Sequence, residues 1–317
     1  WESRLLPKND LDYGVGHCRW TNHYRRSWRK FGKCKYRRAT YLQQTRDDQS
    51  IFYRIRQNHM MTETKYSAVI IAKNDQSTIG DCILAMQKLT LDILIVLDDR
   101  SDDNTENICL QHGVRLIKKT WEGYSGNKNF GADHAKNDWI LCPDADEVFD
   151  EVLIQKLKEI NPKDDQVYEM NRLTYFMKTA VKHSGWFPDW NIRLYNKKSM
   201  RWNDSLVHES LESTYPLRRQ RLSGIVRHYS FRDENHMKEK YDIYAKLRAN
   251  EWIKANKKPS IFKMWFGPYF RFVRTFILKL GFLDGKTGYT IAKNDFILKR
   301  KEIYYWRQFP KSASNVQ

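Results

Sequence analysis

Residues 66–72 read Tyr-Ser-Ala-Val-Ile-Ile-Ala, a short run in which almost every side chain is apolar. Such a run is typical of a strand that is buried on both faces of a parallel sheet. Three similar runs follow along the chain, at 93–97, 114–117 and 139–142. Helical patterns separate them, at 79–89, 106–112 and 128–135. The alternation of strand and helix predicts an α/β fold with a mostly parallel sheet flanked by helices.

After Gln166 the pattern changes to short apolar segments with long, Trp-rich connections. We predict separate strands there, over 167–170, 172–176, 192–195 and 224–229. A helical pattern then covers 236–255, and residues 261–280 are aromatic and basic. The second half of the chain is therefore predicted to add strands first and helices at its end.

The composition excludes several classes of protein. With 317 residues, of which 41% are hydrophobic, the chain can build a core, so wholesale disorder is excluded. It contains no apolar run of about 18 residues, which excludes a polytopic membrane protein. No signal-peptide pattern is found, and Cys18, Cys34, Cys82, Cys109 and Cys142 show no zinc spacing. We therefore expect reduced thiols in a cytosolic protein.

The net charge is +18, which indicates an anionic partner such as nucleic acid, a phosphorylated small molecule or an anionic membrane surface. Residues 1–59 carry half of this excess, with 14 Lys and Arg against 5 Asp and Glu. Their Arg and Trp side chains would suit a nucleic-acid-binding arm. A poorly ordered extension, or sequence upstream of a start at Met60 or Met61, is the simpler interpretation and the one we favour.

Two pairs of acidic residues follow predicted strands. Asp144 and Asp146 come directly after the fourth strand, and Asp98 and Asp99 follow the second. Ligands of such sheets bind beyond the carboxyl ends of the strands, so both pairs are expected in one crevice. The first pair can hold Mg²⁺ or Mn²⁺ and a ribose, and the second can accept hydrogen bonds from a base or a ribose. A solvated turn or a helix cap would explain either pair without a ligand.

Lys128 lies in Gly126-Asn-Lys-Asn-Phe-Gly131, at the expected start of a helix. Backbone N–H groups and the positive end of a helix favour phosphate there, and Lys128 adds a further charge. The stretch is not a P-loop and is a weak signal on its own. We therefore treat Lys128 as a candidate phosphate contact.

Four motifs in this order resemble glycosyltransferase family 2. They are Val69-Ile-Ile-Ala-Lys-Asn74, Leu97-Asp-Asp-Arg-Ser-Asp-Asp-Asn-Thr105, Asn127-Lys-Asn-Phe-Gly-Ala132 and Asp138-Trp-Ile-Leu-Cys-Pro-Asp-Ala-Asp-Glu147. Arg100 stands where the family commonly has Gly, and Asp75 stands where Glu is common. Further segments are similar to the branch that adds a sugar to the lipopolysaccharide inner core: 121–124, 183–190, 193–195, 206–209 and 228–231. The resemblance covers about residues 66–300.

The resemblance implies a Rossmann-like GT-A fold, a nucleotide-sugar donor, a divalent cation, and inversion at the anomeric carbon. We expect a UDP-linked donor. The donor contacts that it implies are Ala72, Asp98, Asp99, Lys128 and Asp144. The metal ligands that it implies are Asp144 and Asp146. His208 is a candidate for a third metal ligand or for a phosphate contact, and a structural histidine is the alternative interpretation.

An inverting displacement needs a base for the acceptor hydroxyl. We predict Asp189 as this base, with Trp186 and Trp190 as aromatic walls that stack on sugars and desolvate the carboxyl. A turn residue after Pro188 is the alternative interpretation of Asp189. Glu209 is the second candidate for the base.

We divide the chain into a basic N-terminal extension (1–60), a nucleotide-sugar-binding half (61–165), an acceptor-side half (166–235) and a C-terminal helical region (236–317). Residues 261–280 carry four cations among aromatic side chains, which suits an interfacial helix on an anionic leaflet or a core helix.

We therefore predict a glycosyltransferase on the cytoplasmic face of the cell membrane, with a glycan or lipid-linked acceptor. Two other classes of protein are alternatives, a basic nucleic-acid-binding protein and a nucleotidyltransferase. No nucleic-acid partner is expected, because two acidic strand ends would repel a phosphate backbone. The nucleotidyltransferase is disfavoured because its Gly-rich, basic signature is missing near the first strand.

Overall fold

The computed structural model describes residues 65–308, except for 204–209, 214, 232 and 257–259. The predicted extension 1–60 and the site candidates His208 and Glu209 lie outside the described residues. The assignments made for them remain predictions, as does the four-part division of the chain.

The described residues form eleven strands and seven α-helices. In chain order the strands are β1 (Tyr66–Ala72), β2 (Ile93–Asp98), β3 (Arg115–Lys119), β4 (Trp139–Leu141), β5 (Glu147–Phe149), β6 (Gln166–Phe176), β7 (Thr179–Ala180), β8 (Trp190–Asn196), β9 (Met200–Trp202), β10 (Leu211–Ser213) and β11 (Arg218–Phe231). The helices are α1 (Ile79–Gln87), α2 (Thr105–Gln111), α3 (Tyr124–Asp133), α4 (Glu151–Glu159), α5 (Glu234–Lys254), α6 (Ile261–Val273) and α7 (Gly285–Gln308). A π-helical turn continues α6 over Arg274–Leu278, and a 3₁₀ turn, Gly281–Asp284, precedes α7.

Nine of the described strands form one sheet in the order β3-β2-β1-β4-β8-β6-β11-β5, with β7 paired to β6. The first four strands in that order run parallel. β8 pairs antiparallel with both β4 and β6, whereas β11 runs parallel to β6 and antiparallel to β5. The predicted α/β fold, with a parallel sheet flanked by helices, is confirmed, and the added strands make its second half mixed in direction.

β1 lies at the centre of the core because both of its faces are covered. All seven of its residues are buried, and it pairs with β2 on one side and β4 on the other. α1 buries Ile79, Cys82, Ile83 and Met86, whose spacing of three and four places them on one helical face. Burial of each large apolar side chain stabilises the fold by about 1.5–3 kcal/mol.

Helix α3 begins earlier than the sequence predicts. We expected its start at Lys128, after a loop with two glycines, but it starts at Tyr124, directly after Gly123 with φ 90°. Gly126 therefore lies inside the first turn of the helix rather than in the loop. Glycine is a poor helix former, which weakens the local helical signal, but contacts with the sheet override this preference.

Strand β6 replaces two strands of the prediction. We predicted separate strands over 167–170 and 172–176, with Asn171 between them. The backbone instead continues through Asn171, which is in register with Trp190 of β8. The amide oxygen of its side chain accepts a hydrogen bond from Asp189 N at 3.0 Å, so the polar residue is satisfied without breaking the strand.

The C-terminal helices share an apolar cluster with the end of the sheet. Its buried members are Phe176, Val181, Phe231, Met237, Tyr241, Ala245, Ile291 and Leu298. No helix within the described ranges is long and apolar enough to cross a membrane. Cys82, Cys109 and Cys142 are buried free thiols.

Candidate active site

The loops that follow β1 and β2 lie side by side at the carboxyl ends of these strands. Asn74 adopts a left-handed conformation with φ 55°, which asparagine tolerates better than most residues. Its side-chain oxygen accepts hydrogen bonds from Ser101 Oγ and Asp102 N, both at 3.0 Å. Ala72, a predicted donor contact, ends β1 in register with Leu97 of β2. The two loops therefore form one rim of the crevice that the sheet order predicts.

Asp98 ends β2, and its carboxylate holds two cations at this rim. Arg100 donates from Nε and Nη2 at 3.0 and 2.8 Å, and Lys73 Nζ lies 3.3 Å from Oδ2. The hydrogen bonds from Arg100 hold the pKa of Asp98 well below its ordinary value, although burial opposes them. Asp99 is the more accessible residue of the pair: its side chain is 40% exposed and accepts a hydrogen bond from Thr120 Oγ1 at 2.6 Å.

Asp75 belongs to the same rim and has a shifted pKa. Its backbone N–H donates to Thr105 Oγ1 at 2.8 Å, and its carboxyl accepts a hydrogen bond from Lys73 N at 2.8 Å. Burial, together with a smaller contribution from the negative charge of Asp146, raises the pKa of Asp75 to about 6. The hydrogen bond from Lys73 N acts in the opposite direction and lowers this pKa. The acidic loop after β4 is therefore electrostatically coupled to the loop after β1.

Arg193 of β8 fixes the loop that carries Asp144 and Asp146, which lies between β4 and β5. Its Nη2 is 2.6 Å from Asp144 Oδ2 and 2.6 Å from Glu147 Oε1, and its Nε donates to Glu147 Oε2 at 2.6 Å. The side chain of Glu147 is fully buried. A planar guanidinium can satisfy two carboxylates at once, so Arg193 holds this loop in a defined conformation.

The Asp144 carboxylate is balanced by three cations. Besides Arg193, Nζ of Lys128 lies 3.9 Å from Oδ1, and Nη1 of Arg172 lies 3.9 Å from Oδ2. Burial by itself would raise the pKa of Asp144, but these positive charges outweigh it and hold the pKa well below its ordinary value. Asp144 therefore stays ionised, and its main contact is with Arg193.

Lys128 lies one turn inside α3 rather than at its start. Its side chain is buried, and Nζ stands 4.5 Å from the centre of the Trp202 ring as well as near Asp144. Helix α3 can lie this close to the sheet because Gly131 faces Val69, where an added Cβ would come within 2.3 Å of Cγ1. The ammonium of Lys128 is thus directed at the acidic loop, and its role as a phosphate contact remains a prediction.

Asp146 faces His228 of β11, a residue that the sequence analysis did not assign. His228 Nε2 lies 3.3 Å from Asp146 Oδ2, and its Nδ1 lies 3.2 Å from Thr174 Oγ1. Among the described residues, no three His, Cys, Asp or Glu side chains are grouped closely enough to hold an ion. Magnesium sites of nucleotide enzymes use one or two carboxylates and complete the shell with phosphates. The Asp146 carboxylate suits Mg²⁺ or Mn²⁺, whereas the imidazole of His228 beside it suits divalent ions softer than Mg²⁺.

Arg172 of β6 connects Asp189 to the acidic loop. Its Nε and Nη2 lie 2.8 and 2.7 Å from Asp189 Oδ2, and its Nη1 lies 3.6 Å from Glu147 Oε1 and 3.9 Å from Asp144 Oδ2. The backbone supports this contact, because Arg172 N donates to Asp189 O at 2.7 Å. One guanidinium therefore spans the space between the predicted base and the predicted metal loop.

The two predicted aromatic walls have other partners. Trp186 packs against Phe231, with ring centroids 5.6 Å apart, next to the apolar cluster of the C-terminal helices. The guanidinium of Arg221 lies over the ring of Trp190, with Arg221 Cζ 4.7 Å from the ring centre. The side chain that contacts the Asp189 carboxylate is the Arg172 guanidinium. The contact that the structure shows for the Asp189 carboxylate is therefore a charge pair, and the role of Trp186 and Trp190 as aromatic walls stays a prediction.

The sequence analysis missed four residues that organise this site. They are Glu147, Arg172, Arg193 and His228. A signal was present, since Arg193 stands between apolar residues of a predicted strand, and charged residues are rarely buried without a partner. The identity of that partner depends on which strands become neighbours.

Comparison with known proteins defines the class of this chain. The family model described as Glycosyl transferase family 2 matches residues 67–223. An uncharacterized glycosyltransferase of Rickettsia typhi is 30% identical over 239 residues, which cover 71% of this chain and 80% of that protein. The chain therefore belongs to glycosyltransferase family 2, and it is a glycosyltransferase.

A relative with a more specific name is the lipopolysaccharide core biosynthesis glycosyltransferase LpsC of Rhizobium meliloti. It is 25% identical over 274 residues, which cover 81% of this chain and 98% of that protein. Among solved structures, S. aureus TarS 1-349 in complex with UDP-GlcNAc is 12% identical with a TM-score of 0.39, covering 77% of this chain and 89% of that chain. At that distance the structural likeness says nothing about the substrate of this chain.

Proposed function

We propose that the chain is an inverting, metal-dependent glycosyltransferase. It moves a sugar from a UDP-linked donor to a glycan or lipid-linked acceptor. The reaction belongs to the synthesis of the lipopolysaccharide core or another cell-envelope polysaccharide. The main support for this proposal is the position of the Arg172 guanidinium, which contacts Asp189 and also lies 3.9 Å from Asp144 and 3.6 Å from Glu147. The proposed base and the acidic loop that we assign to the nucleotide side thus lie near the same guanidinium. In-line displacement at a sugar carbon requires both groups around the same substrate.

The donor nucleotide is assigned to the rim made by the loops after β1 and β2. Asp99 is exposed enough to accept hydrogen bonds from a base or a ribose, and Asp98 keeps its basic neighbours in place. Ala72 is buried at the end of β1, and its contact with the donor stays what the family resemblance implies. Lys128 and Asp144 complete the set of donor contacts implied by the family resemblance.

Asp146 and His228 would hold the divalent cation, Mg²⁺ or Mn²⁺, together with phosphate oxygens of the donor. Asp144 is less suited to be a ligand, because Arg193 already contacts its carboxylate at 2.6 Å. When bound, the cation neutralises the charge that develops on the leaving diphosphate. His208 stays a candidate for a further ligand.

Asp189 would accept the proton of the acceptor hydroxyl as that oxygen forms its bond to the anomeric carbon. The bond from this carbon to the diphosphate oxygen breaks on the opposite face, which inverts the configuration. Both nitrogen contacts of Arg172 fall on Oδ2 of Asp189, so Oδ1 is the oxygen assigned to the proton. Arg172 is a positioning residue here, and Glu209 remains the second candidate for the base.

The acceptor class is supported by the similarity to LpsC. A location on the cytoplasmic face of the cell membrane, where such acceptors are carried on lipid, is part of the proposal.

A donor screen tests this function. The purified chain is incubated with a core-oligosaccharide acceptor and UDP-, GDP-, ADP- or CMP-linked sugars, with Mg²⁺ or Mn²⁺ and with EDTA controls. Free nucleoside diphosphate is measured, or free CMP for the CMP-linked sugars. Release from a UDP-sugar that needs the cation is expected, and NMR of the product linkage should show inversion. Release of pyrophosphate from a nucleoside triphosphate and a sugar phosphate, tested in parallel, would identify a nucleotidyltransferase instead. Retained configuration in the transfer product would contradict the in-line displacement with Asp189 as the base.

A further inference from the structure

Helix α6 and the turns after it expose a continuous apolar surface. The exposed side chains recur at helical spacing and continue into the turns: Phe262, Trp265, Phe266, Tyr269, Phe270, Val273, Ile277, Leu278, Leu280, Phe282 and Leu283. We call this set the aromatic face. Phe262, Trp265, Tyr269 and Phe270 are each 62–69% exposed. Large contiguous apolar patches on folded proteins mark interaction surfaces.

The charged residues of the segment that carries the aromatic face are all cations. Residues 261–283 contain no Asp or Glu. They contain four cations, Lys263, Arg271, Arg274 and Lys279, of which all but Arg271 are exposed. Apolar and aromatic side chains that are bordered by cations complement the interface of a bilayer with anionic headgroups.

We propose that the aromatic face binds an anionic lipid bilayer and holds the acceptor side of the crevice against that surface. The segment would lie in the interface rather than cross it, because four cations are too costly in the bilayer centre. This inference rests on the proposed function and adds to it the surface that holds the enzyme at the membrane. The acceptor would be a glycan carried on a membrane-embedded lipid.

Asp284 links the aromatic face to the loop that carries Asp189. Its carboxylate is nearly fully buried and accepts hydrogen bonds from His183 N at 3.0 Å and Ser184 Oγ at 2.9 Å. From the same turn, Lys279 O accepts a hydrogen bond from Ser184 N at 2.8 Å. The loop then runs on to Asp189 at the start of β8. The orientation of α6 at a surface is therefore transmitted to the acceptor side through direct hydrogen bonds.

Two glycines allow this turn to pack tightly. A Cβ on Gly281 would lie 2.6 Å from Thr275 O and 3.0 Å from Ser184 Oγ. A Cβ on Gly288 of α7 would lie 1.8 Å from Gly281 O. Backbone atoms meet here without side chains between them, so the turn is firmly attached both to α7 and to the loop before β8.

A lipid surface explains the aromatic face better than a second copy of the chain. A symmetric dimer would bring the same basic border of both copies together, which like charges oppose. Trp265 and Tyr269 combine an apolar ring with one polar group, as the aromatic residues of membrane interfaces do. The observations therefore favour lipid, and self-association becomes an outcome of the test.

Vesicle co-sedimentation of the full chain tests the proposal. Vesicles of phosphatidylcholine mixed with phosphatidylglycerol are compared with vesicles of phosphatidylcholine alone. The wild type should bind the mixed vesicles more tightly, and the double variant Phe266→Glu/Phe270→Glu should lose at least ~10-fold in binding, because two charges enter the contact surface. Leu110→Glu is the matched control, since Leu110 is 59% exposed on α2, and its binding should equal that of the wild type. Thermal unfolding checks that all three proteins are folded.

Two further measurements separate the parts of the proposal. Lys263→Gln/Arg274→Gln should weaken binding to the mixed vesicles only, and amide hydrogen exchange at His183 and Ser184 should slow when these vesicles are bound. The lipid assignment would be overturned if the double Glu variant bound the vesicles as tightly as the wild type. It would also be overturned if the wild type were a dimer without lipid and the double Glu variant a monomer. Unchanged exchange would overturn the link to the crevice. Nucleoside diphosphate release without lipid reports on the proposed function separately.

Discussion

The guanidinium of Arg172 contacts the carboxylate of Asp189 through two nitrogen atoms, with Nε at 2.8 Å and Nη2 at 2.7 Å from Oδ2. The contact arises because β6 and β8 are antiparallel neighbours, with Asn171 in register with Trp190. The Asp189 side chain remains 36% exposed, so a substrate can reach it. The same guanidinium approaches the acidic loop, which makes Arg172 the connection between the two halves of the crevice.

Asp189→Asn is expected to lower turnover by about a hundredfold or more while donor affinity stays close to that of the wild type, since a base acts on the acceptor. The amide keeps the size of the side chain and one acceptor for Arg172. Turnover numbers and calorimetric donor affinity provide the measurement. Glu209→Gln is the comparison variant. If Glu209→Gln binds the donor normally but has lost turnover, while Asp189→Asn stays active, Glu209 is the base.

Asp146→Asn is expected to lower the rate of transfer more than a hundredfold, because a neutral amide is a poor ligand for a hard cation. This loss corresponds to an increase of at least ~3 kcal/mol in the activation barrier. His228→Gln should raise the Mn²⁺ concentration for half-maximal activity by about tenfold or more. Asp138→Asn, which removes an exposed pair with Lys198, should leave both values unchanged. Wild-type turnover that persists in EDTA would contradict the metal assignment.

Glu147→Gln is expected to lower the free energy of unfolding by about 3 kcal/mol. Glu147 is fully buried and accepts two hydrogen bonds of 2.6 Å from Arg193, so its neutralisation removes one of the two carboxylates that compensate the buried guanidinium. Urea denaturation measures the change. Glu151→Gln, at an exposed contact with Lys88, serves as the control and should be indistinguishable from the wild type.

Asp75→Asn is expected to stabilise the protein at pH 7 but not at pH 4. Burial raises the pKa of Asp75 from 3.8 to about 6, so between these values the folded chain keeps a proton that the unfolded chain has released. The contribution of this group to stability therefore falls as pH rises through that window, by up to ~3 kcal/mol. The amide retains an acceptor for Lys73 N. Equal shifts of the urea midpoint at both pH values would contradict the cause given for the pKa.

A chain shortened to begin at Met61 is expected to fold and to keep donor binding. The reason is that β1 begins at Tyr66 and is fully buried between β2 and β4. Circular dichroism and calorimetric titration with UDP measure fold and binding. Aggregation, or loss of UDP binding relative to the full chain, would mean that residues 1–60 contribute to the folded enzyme.

Local sequence patterns determined the parallel half of this protein. The apolar runs at 66–72 and 93–97 are buried strands, and the acidic pairs Asp98–Asp99 and Asp144–Asp146 follow strand ends. Burial on both faces and the end of a strand are properties of a few consecutive residues, so they are visible without tertiary structure. The order of the motifs likewise indicated the family that the comparisons show.

Tertiary structure alone decided the partners of the site residues. Arg193 is 49 positions from Asp144, and β8 reaches it only because that strand inserts between β4 and β6. The contact of His228 with Asp146 likewise depends on β11 lying between β6 and β5. A charged side chain in a strand signals that a partner is required, but strand order selects the partner. That order results from the burial of the whole sheet, which no local segment encodes.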